Sequence, residues 1–374
     1  MNIFINYPTV LLILALIAGV LCLYAYYLGL KEKEIKAHPH HHLSRHQNNP
    51  VLSPSPFREW EACGTFNPAA FTDDEGKVHL LYRAVGADGL SRIGYASSPD
   101  GRNFSDRSTY PVFAPVIGYD MPDPKNASSP KTYDPSIYTS GGGWGGSEDP
   151  RTVRIGNRVY MSYVAFEGWN SVRIALTSIG LDDLKKKRWK WKRTQFLSRA
   201  DQVAKNWLIF PEKINGKFAI IHSIVPNVAI EYVDDLDNIR KPISSPRPLG
   251  VQPGRKNFWD NKIRGSGPPP IRTDCGWLLL YHAIDDREPM RYKVGAMILD
   301  VNDPTRILYR SPQPILAPDA HYENDGKPGI VYASGAVIIG ENLVVYYGGG
   351  DKHVCIAETP LKQLLDWMVA YGKT

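Results

Sequence analysis

The sequence predicts an all-β fold, a five-bladed β-propeller, preceded by a single N-terminal transmembrane helix. Three observations lead to this prediction. The stretch from Tyr7 to Leu30 is apolar and uncharged, the rest of the chain has an ordinary globular composition, and a pair of short strands recurs five times within it. Hydrophobic residues make up 43% and charged residues 22% of the chain, which excludes a disordered protein.

The N-terminal segment has the composition of a membrane anchor. From Tyr7 to Leu30 it is dominated by Leu, Ile, Val and Ala, and a helix of about 20 such residues crosses a bilayer core. It lacks the cleavage site expected of a secretory signal. Lysines follow it at positions 31–36 and nothing basic precedes it, so the positive-inside rule places the large domain in the cytoplasm. We predict a single-pass membrane protein with an anchor at residues 1–30 and a tether at residues 31–50.

A recurring pair of strands organises residues 51–374. Each unit has an apolar strand that ends near a polar residue, a short loop, and a second strand rich in small residues. Units that are each too small to bury a core of their own indicate blades around a common axis. A β-sandwich is the structural alternative, although it does not explain why the motif recurs in register. The first strands of the five units read VHLLYRA, VYMSYVAFE, FAIIHSI, WLLLYHAID and LVVYYGGGD.

A polar side chain stands at the end of the first strand in every unit. In a propeller we expect this strand to line the central channel and its end to open on the ligand-binding face. Ionisable groups at equivalent points of all five units therefore predict a binding site at one end of the axis. The five residues are Arg83, Glu167, His222, Asp285 and Asp351.

Two other features argue against competing classes of protein. The basic run Lys185–Arg193 is not accompanied by any nucleic-acid-binding module, and we interpret it as a solvated hairpin rim. The four cysteines, at positions 22, 63, 275 and 355, have no CxxC spacing and indicate neither a zinc site nor a disulfide framework. We therefore expect no metal, no cofactor and no nucleic-acid partner.

The segment GGGWGGSEDPR, residues 141–151, carries a candidate catalytic group. Its glycines allow tight turns, and Glu148, Asp149 and Arg151 follow them directly. An acid beside a guanidinium suits glycosyl transfer, since one group handles the leaving oxygen while the cation orients sugar hydroxyls or an anion. An Asp-Pro turn closed by a salt bridge is the structural alternative, and this motif alone does not decide between them.

Six segments in order resemble glycoside hydrolase family 130, which comprises β-mannoside phosphorylases and some β-mannosidases. The resemblance covers about residues 50–370, and the related glycosyltransferase family 108 shares the propeller and uses GDP-mannose or mannose 1-phosphate. The segments are FNPAA from Phe66, LLYRA from Leu80, SEDPR from Ser147, FPEKINGK from Phe210, GSGPPPI from Gly265 and YYGGGD from Tyr346.

The resemblance implies a role for each matching residue. Asp149 corresponds to the catalytic acid, which in the phosphorylases is proposed to act through a sugar hydroxyl relay, and Arg151 orients that acid or the sugar. The residues implied to hold mannose are Asn67, Arg83 and Asp351, with His282 and Asp285 facing the cleft, and those implied to bind phosphate are Lys205 and Lys262.

One departure from the family pattern concerns phosphate. The phosphorylases usually carry His-Arg after the first strand of the third unit, whereas this chain has His222 and Ser223. Without that charge-assisted, often bidentate arginine, phosphate binds more weakly. Three interpretations follow: phosphate binds through the two lysines and a replacement such as Arg264, the chain is a hydrolase with Glu231 as the base, or it is a transferase whose larger phosphate leaving group fills the vacated space.

The function predicted from the sequence is that of an inverting phosphorylase, which interconverts a β-mannoside plus phosphate with α-mannose 1-phosphate. Inorganic phosphate is then a co-substrate, and the partners are a mannose-containing oligosaccharide or mannose 1-phosphate. The alternatives are a GDP-mannose-dependent β-mannosyltransferase, a β-mannosidase and a lectin-like propeller. Simple sugar binding does not require the Asp149 and Arg151 pair, which disfavours the lectin.

Overall fold

A computed structural model describes residues 13–26, 40–117, 121, 131–169, 171–245 and 252–373. The chain divides into two compact units, residues 1–41 and residues 42–374. In the first unit, helix α1 covers residues 13–26.

The prediction of an N-terminal transmembrane helix is contradicted. None of the helices in the described part of the chain combines the length and the apolar character that crossing a bilayer requires. The fold-class prediction is therefore wrong where it places a transmembrane helix before the β domain, and so are the predictions of a membrane partner and a single-pass localisation. Residues 1–12 and 27–39 of the predicted anchor and tether lie outside the described residues.

The unit 42–374 is mostly β, and its strands form five successive antiparallel groups after β1 (Ser44–Arg45). The first sheet contains β2 (Gly64–Thr72), β3 (Val78–Val85), β4 (Leu90–Ser98) and β5 (Asp106–Arg107), and the second contains β6 (Gly145–Ile155), β7 (Arg158–Phe166), β8 (Val172–Gly180) and β9 (Gln195–Phe196). A short parallel pairing of β4 with β6, Leu90 opposite Gly145, joins these two sheets.

Three further sheets and two helices follow among the described residues of this unit. The third sheet contains β10 (Leu208–Ile209), β11 (Phe218–Ser223) and β12 (Ala229–Val233). The fourth contains β13 (Gln252–Pro253), β14 (Lys262–Ser266), β15 (Ile271–Thr273), β16 (Gly276–Ile284), β17 (Lys293–Leu299) and β18 (Ile307–Arg310). The fifth contains β19 (Val331–Ile339), β20 (Asn342–Gly349) and β21 (His353–Pro360), while the helices are α2 (Leu181–Lys185) and α3 (Leu361–Tyr371), with 3₁₀ turns at Glu59–Glu61 and His321–Glu323.

Apolar side chains between neighbouring sheets close these five groups into a ring. Each of five buried clusters combines residues from two consecutive sheets. The last of them joins Val344 and Tyr346 of the fifth sheet to Val78 and Leu80 of the first. The five sheets therefore have the arrangement of a five-bladed propeller, in which no sheet leaves a face without a neighbour.

The middle strand of each sheet is apolar on both faces because both faces are covered. Successive side chains of a strand point to opposite sides. Accordingly Leu80 packs into the cluster shared with the fifth sheet, whereas Leu81 packs into the cluster shared with the second. This burial explains why the repeated motifs read as nearly continuous apolar runs.

The ring is completed by residues from the start of this unit. Strand β1 pairs with β21, with Ser44 opposite Glu358. The side-chain amide of Asn49 extends this pairing, since it both donates to the Ile356 carbonyl (2.7 Å) and accepts from the Ile356 N–H (2.8 Å). Residues 42–50, which the sequence placed in a tether, thus form part of the compact unit.

The innermost position is occupied by the strand that precedes each repeated pair, and not by the first strand of the pair as the sequence suggests. Strand β2 contacts both β6 and β19. The ladders of β2, β6, β14 and β19 are each interrupted by a bulge near the axis. Bulges re-aim side chains and end regular pairing, so these four irregular points determine which residues face the centre of the ring.

Candidate active site

A cavity of about 300 Å³ lies at the end of the inner strands, and all five sheets contribute to its lining. Seven of the residues named from the sequence line it together. These are Asn67, Arg83, Asp149, Lys205, His222, Arg264 and Asp351.

Asp149 lies at the bulge of β6, between Glu148 and Arg151. Its φ of +49° is in the left-handed region, and its buried side chain is 9% exposed. Oδ1 accepts hydrogen bonds from Asn67 Nδ2 at 2.9 Å and from Arg83 at 3.2 Å. Burial alone raises the pKa of Asp149, but the positive charges of Arg83, Lys205 and Arg151 outweigh it and lower the pKa to about 2. The carboxylate is therefore ionised at neutral pH in the absence of substrate.

Glu148 holds two of the cations from below the cavity. Its fully buried carboxylate accepts from Arg83 at 2.9 Å through Oε1 and from Lys205 at 3.1 Å through Oε2. The hydroxyl of Ser140 donates to the same Oε2 at 2.8 Å, and the Ser140 carbonyl accepts from Arg83 at 2.7 Å. The sequence motif contained Glu148, but without the fold nothing distinguished this supporting role from a catalytic one.

Asp351 is the second carboxyl of the cavity. It follows β20, has a φ of +50°, and its side chain is 15% exposed. Burial and the nearby negative charge of Asp149 raise its pKa, although Lys327, 3.8 Å away, and Arg83 oppose the shift. The cavity thus contains one strongly ionised carboxyl and one that binds a proton more readily than an ordinary aspartate.

Arg151 and His282 lie behind the cavity wall and support it. Arg151 donates to three carbonyl oxygens, those of Gly267 (2.7 Å), Asp149 (3.1 Å) and Pro150 (3.1 Å), which holds the bulge of β6 in place. His282 is fully buried and stacks on Tyr332 with 4.0 Å between ring centroids. Burial, together with the charge of Arg151, lowers the pKa of His282 to about 3 and keeps it neutral. Both residues therefore position groups that line the cavity.

Besides Arg151 and His282, Glu167 in the β7–β8 turn and three further predicted residues are not brought into the cavity lining. Asp285 is paired with Arg287 at 2.7 Å just after β16. Lys262 is the first residue of β14, and Glu231 is exposed on β12. The structure does not bring these three side chains together with Asp149.

Several lining residues were missed by sequence reasoning because they lie outside the repeated motifs. Tyr332, on β19, donates to Asn206 at 2.5 Å and packs over Arg151. Trp169, 48% exposed in the β7–β8 turn, has Lys205 5.1 Å from its ring centroid. Tyr292 and Lys327 come from loops of the fourth and fifth sheets. For the aromatic residues the only signal in the sequence was the high count of 21 tyrosines and 9 tryptophans, and for Lys327 there was none.

The lining suits a sugar together with an anion. It presents two carboxyls, four cations and several aromatic rings around one cavity. Within the described residues no group of three His, Cys, Asp or Glu side chains is arranged to hold a metal ion. The chemistry that these residues themselves offer is proton transfer by a carboxyl and stabilisation of negative charge by guanidinium and ammonium groups.

Comparison with known proteins is consistent with this interpretation of the cavity. The chain is 35% identical over 335 residues to a 1,2-β-oligomannan phosphorylase of Thermoanaerobacter sp. (strain X514), which covers 86% of this chain and 98% of the relative. A β-1,2-mannobiose phosphorylase of the same strain is 34% identical and covers 84% and 96%. A solved structure from work on family 130 glycoside hydrolases that target β-1,2 mannosidic linkages in Candida mannan is 26% identical, with a TM-score of 0.66 over 87% of this chain and 95% of that one.

A family-wide sequence profile covers nearly all of the β unit. The profile of glycoside hydrolase family 130, described as β-1,4-mannooligosaccharide phosphorylase, matches residues 42–370. The match confirms the resemblance found in the six sequence segments and extends it across all five sheets. The chain therefore belongs to glycoside hydrolase family 130.

Proposed function

We propose that this protein is an inverting phosphorylase that cleaves β-1,2-linked mannosides with inorganic phosphate. The observation that carries the proposal is the cavity itself, which sets the ionised Asp149 among four lining cations. The preference for the β-1,2 linkage is supported by two relatives of 34% and 35% identity, both named for that linkage.

The reaction is a single displacement at the anomeric carbon. An oxygen of hydrogen phosphate forms a bond to C1 from the α face while the bond from C1 to the β-linked oxygen breaks with its electron pair. A proton passes from Asp149 through a sugar hydroxyl to the leaving oxygen, and the proton lost by phosphate restores the carboxyl. The products are α-mannose 1-phosphate and a mannoside shortened by one residue, with no net uptake of protons.

Asp149 must become protonated for this role, although its pKa in the free protein is about 2. Two of the cations that lower this pKa, Arg83 and Lys205, line the cavity, where a phosphate dianion would bring negative charge close to them. Once phosphate neutralises part of their charge and water leaves the cavity, burial favours the protonated carboxyl. Phosphate binding thus prepares the acid, so cleavage depends on phosphate.

The other activities considered from the sequence receive less support. A hydrolase needs a base near the anomeric carbon, and Glu231 is exposed outside the cavity. A lectin is disfavoured by the buried Glu148, which holds Arg83 and Lys205 beside the Asp149 carboxylate. Burying such charges costs free energy, and sugar binding alone does not require them.

The test is to incubate the full chain with β-1,2-mannobiose with and without phosphate and to follow the products by ³¹P NMR and sugar chromatography. We expect α-mannose 1-phosphate and mannose, formed only when phosphate is present. Free mannose as the sole product at equal rates without phosphate would identify a hydrolase. Turnover of GDP-mannose but not of α-mannose 1-phosphate, with mannose as acceptor, would identify a transferase.

A further inference from the structure

The cations of the cavity differ in how their charge is balanced. Arg83 is paired with Glu148 and Asp149, Lys205 with Glu148, and Lys327 with Asp351. Among the described residues, no carboxylate lies within salt-bridge distance of the guanidinium of Arg264. Arg264 therefore brings to the cavity wall a positive charge that is not paired with a carboxylate of the described residues.

The backbone places Arg264 where its side chain must face the axis. It occupies the bulge of β14, between Ile263 and Gly265. Asn67 and Asp149 likewise lie at bulges of inner strands, in the first and second sheets. Its guanidinium packs over the ring of Tyr292, 4.9 Å from the centroid. The bulge aims the side chain, and the aromatic ring limits its conformations before a ligand arrives.

Ser223, which stands where the family usually has an arginine, does not supply an equivalent donor. Its hydroxyl donates to the Val225 carbonyl at 2.9 Å, so it is engaged within its own turn. Burial lowers the pKa of the neighbouring His222, whose Nδ1 lies 3.3 Å from Ser245 Oγ, and the ring is neutral at pH 7. The third sheet therefore contributes neutral groups to this side of the cavity.

We infer that Arg264, on the fourth sheet, is the phosphate-binding guanidinium of this protein. It replaces the phosphate-binding arginine that the family usually carries on the third sheet, at the position of Ser223. This inference rests on the proposed phosphorolysis. A planar, always charged guanidinium offers paired N–H donors to phosphate oxygens, which a lysine or serine does not. Lys262, two residues earlier on the same strand, lies outside the lining.

Steady-state kinetics of the full chain test this assignment, with β-1,2-mannobiose as substrate and phosphate varied. We expect Arg264→Ala to raise the KM for phosphate about 10- to 100-fold, the effect expected on removing a charged hydrogen bond, with the KM for mannobiose within about twofold of wild type. Arg264→Lys keeps the positive charge but lacks the paired N–H donors of the guanidinium, and it should give an intermediate KM for phosphate. Arg272→Ala removes an exposed arginine from β15 of the same sheet and is the matched control, expected to leave both constants unchanged.

Direct titration of inorganic phosphate into wild type and Arg264→Ala separates this inference from the proposed function, because binding requires no turnover. Thermal unfolding shows whether the variant is folded, and Arg264→Lys replaces it if it is not. A wild type that binds phosphate but does not cleave mannobiose contradicts the phosphorylase proposal only. An unchanged phosphate KM or affinity in Arg264→Ala, or no phosphate binding by the wild type, overturns the assignment of Arg264.

Discussion

Asn67 Nδ2 donates a hydrogen bond to Asp149 Oδ1 across 2.9 Å, although 82 positions separate the two residues in the chain. Both lie at bulges of inner strands, with φ of +48° and +49°, and a proline follows each of them. Left-handed φ is costly for residues other than glycine and is least unfavourable for Asn and Asp. Two matching irregularities in neighbouring sheets therefore bring the candidate acid and its hydrogen-bond donor together.

Replacing Asp149 with asparagine should lower kcat by at least about 100-fold, because the amide cannot deliver the proton that the leaving oxygen requires. Asparagine tolerates the same φ, so the far-ultraviolet circular dichroism should match wild type. Asp303→Asn, at an exposed position between β17 and β18, is the control and should keep full activity. Activity within about tenfold of wild type in Asp149→Asn would remove this residue from the catalytic role.

The low pKa of Asp149 predicts how its contribution to stability varies with pH. Its pKa is about 2 in the folded protein against an ordinary value of 3.8, so the fold favours the ionised form. This stabilisation is fully present above about pH 4 and is lost as the pH falls towards 2, with a total of about 2 kcal/mol. Urea unfolding at several pH values measures this effect. As the pH falls through this range, the free energy of unfolding of the wild type should decrease relative to that of Asp149→Asn. A difference that is constant from neutral pH down to the folded pKa would contradict the predicted shift.

Glu148→Gln should destabilise the protein by about 3 kcal/mol, because Arg83 and Lys205 lose their shared buried partner. Glu358→Gln, which breaks the partly exposed pair with Arg102, is the matched control and should cost less than about 1 kcal/mol. Denaturant unfolding measures both. Equal effects of the two substitutions would show that the buried pair is not more important to stability than the peripheral one.

The contribution of Asp351 to stability should vary with pH in the direction opposite to that of Asp149. Because burial raises its pKa, its stabilising effect belongs to the protonated form and is lost as the pH rises through the folded pKa. At neutral pH the Asp351→Asn variant, which has no charge to bury, should therefore unfold at the same temperature as wild type or higher, while its KM for the mannoside rises. A fall of several degrees in Tm would contradict this prediction.

We expect Trp169 to stack on a sugar residue of the substrate, because its ring is 48% exposed and lines the cavity. Trp169→Ala should raise the KM for β-1,2-mannobiose about 5- to 10-fold through loss of stacking and leave the KM for phosphate unchanged. Trp169→Phe should retain most of the affinity. The pattern is the reverse of that expected for Arg264→Ala, and an effect on phosphate alone would place the ring elsewhere.

Repetition made the strand pairs predictable. The apolar runs around Leu80, Leu279 and Val344 alternate between two clusters because both faces of each middle strand are covered. The residues shared with family 130 similarly pointed to Asn67, Arg83 and Asp149. The transmembrane helix predicted from hydropathy was wrong, because no helix among the described residues is long and apolar enough to cross a membrane.

What the sequence determined alone was local: where strands alternate, where turns interrupt them, and which motifs carry an acid or a cation. Only the tertiary structure decided that Glu148 is buried between Arg83 and Lys205. It also decided that Lys262 and Glu231 lie outside the cavity lining, and that Tyr332 and Trp169 belong to it. The physical reason is that strand periodicity fixes the side on which a residue lies, whereas convergence depends on four bulges and on the packing that closes the ring.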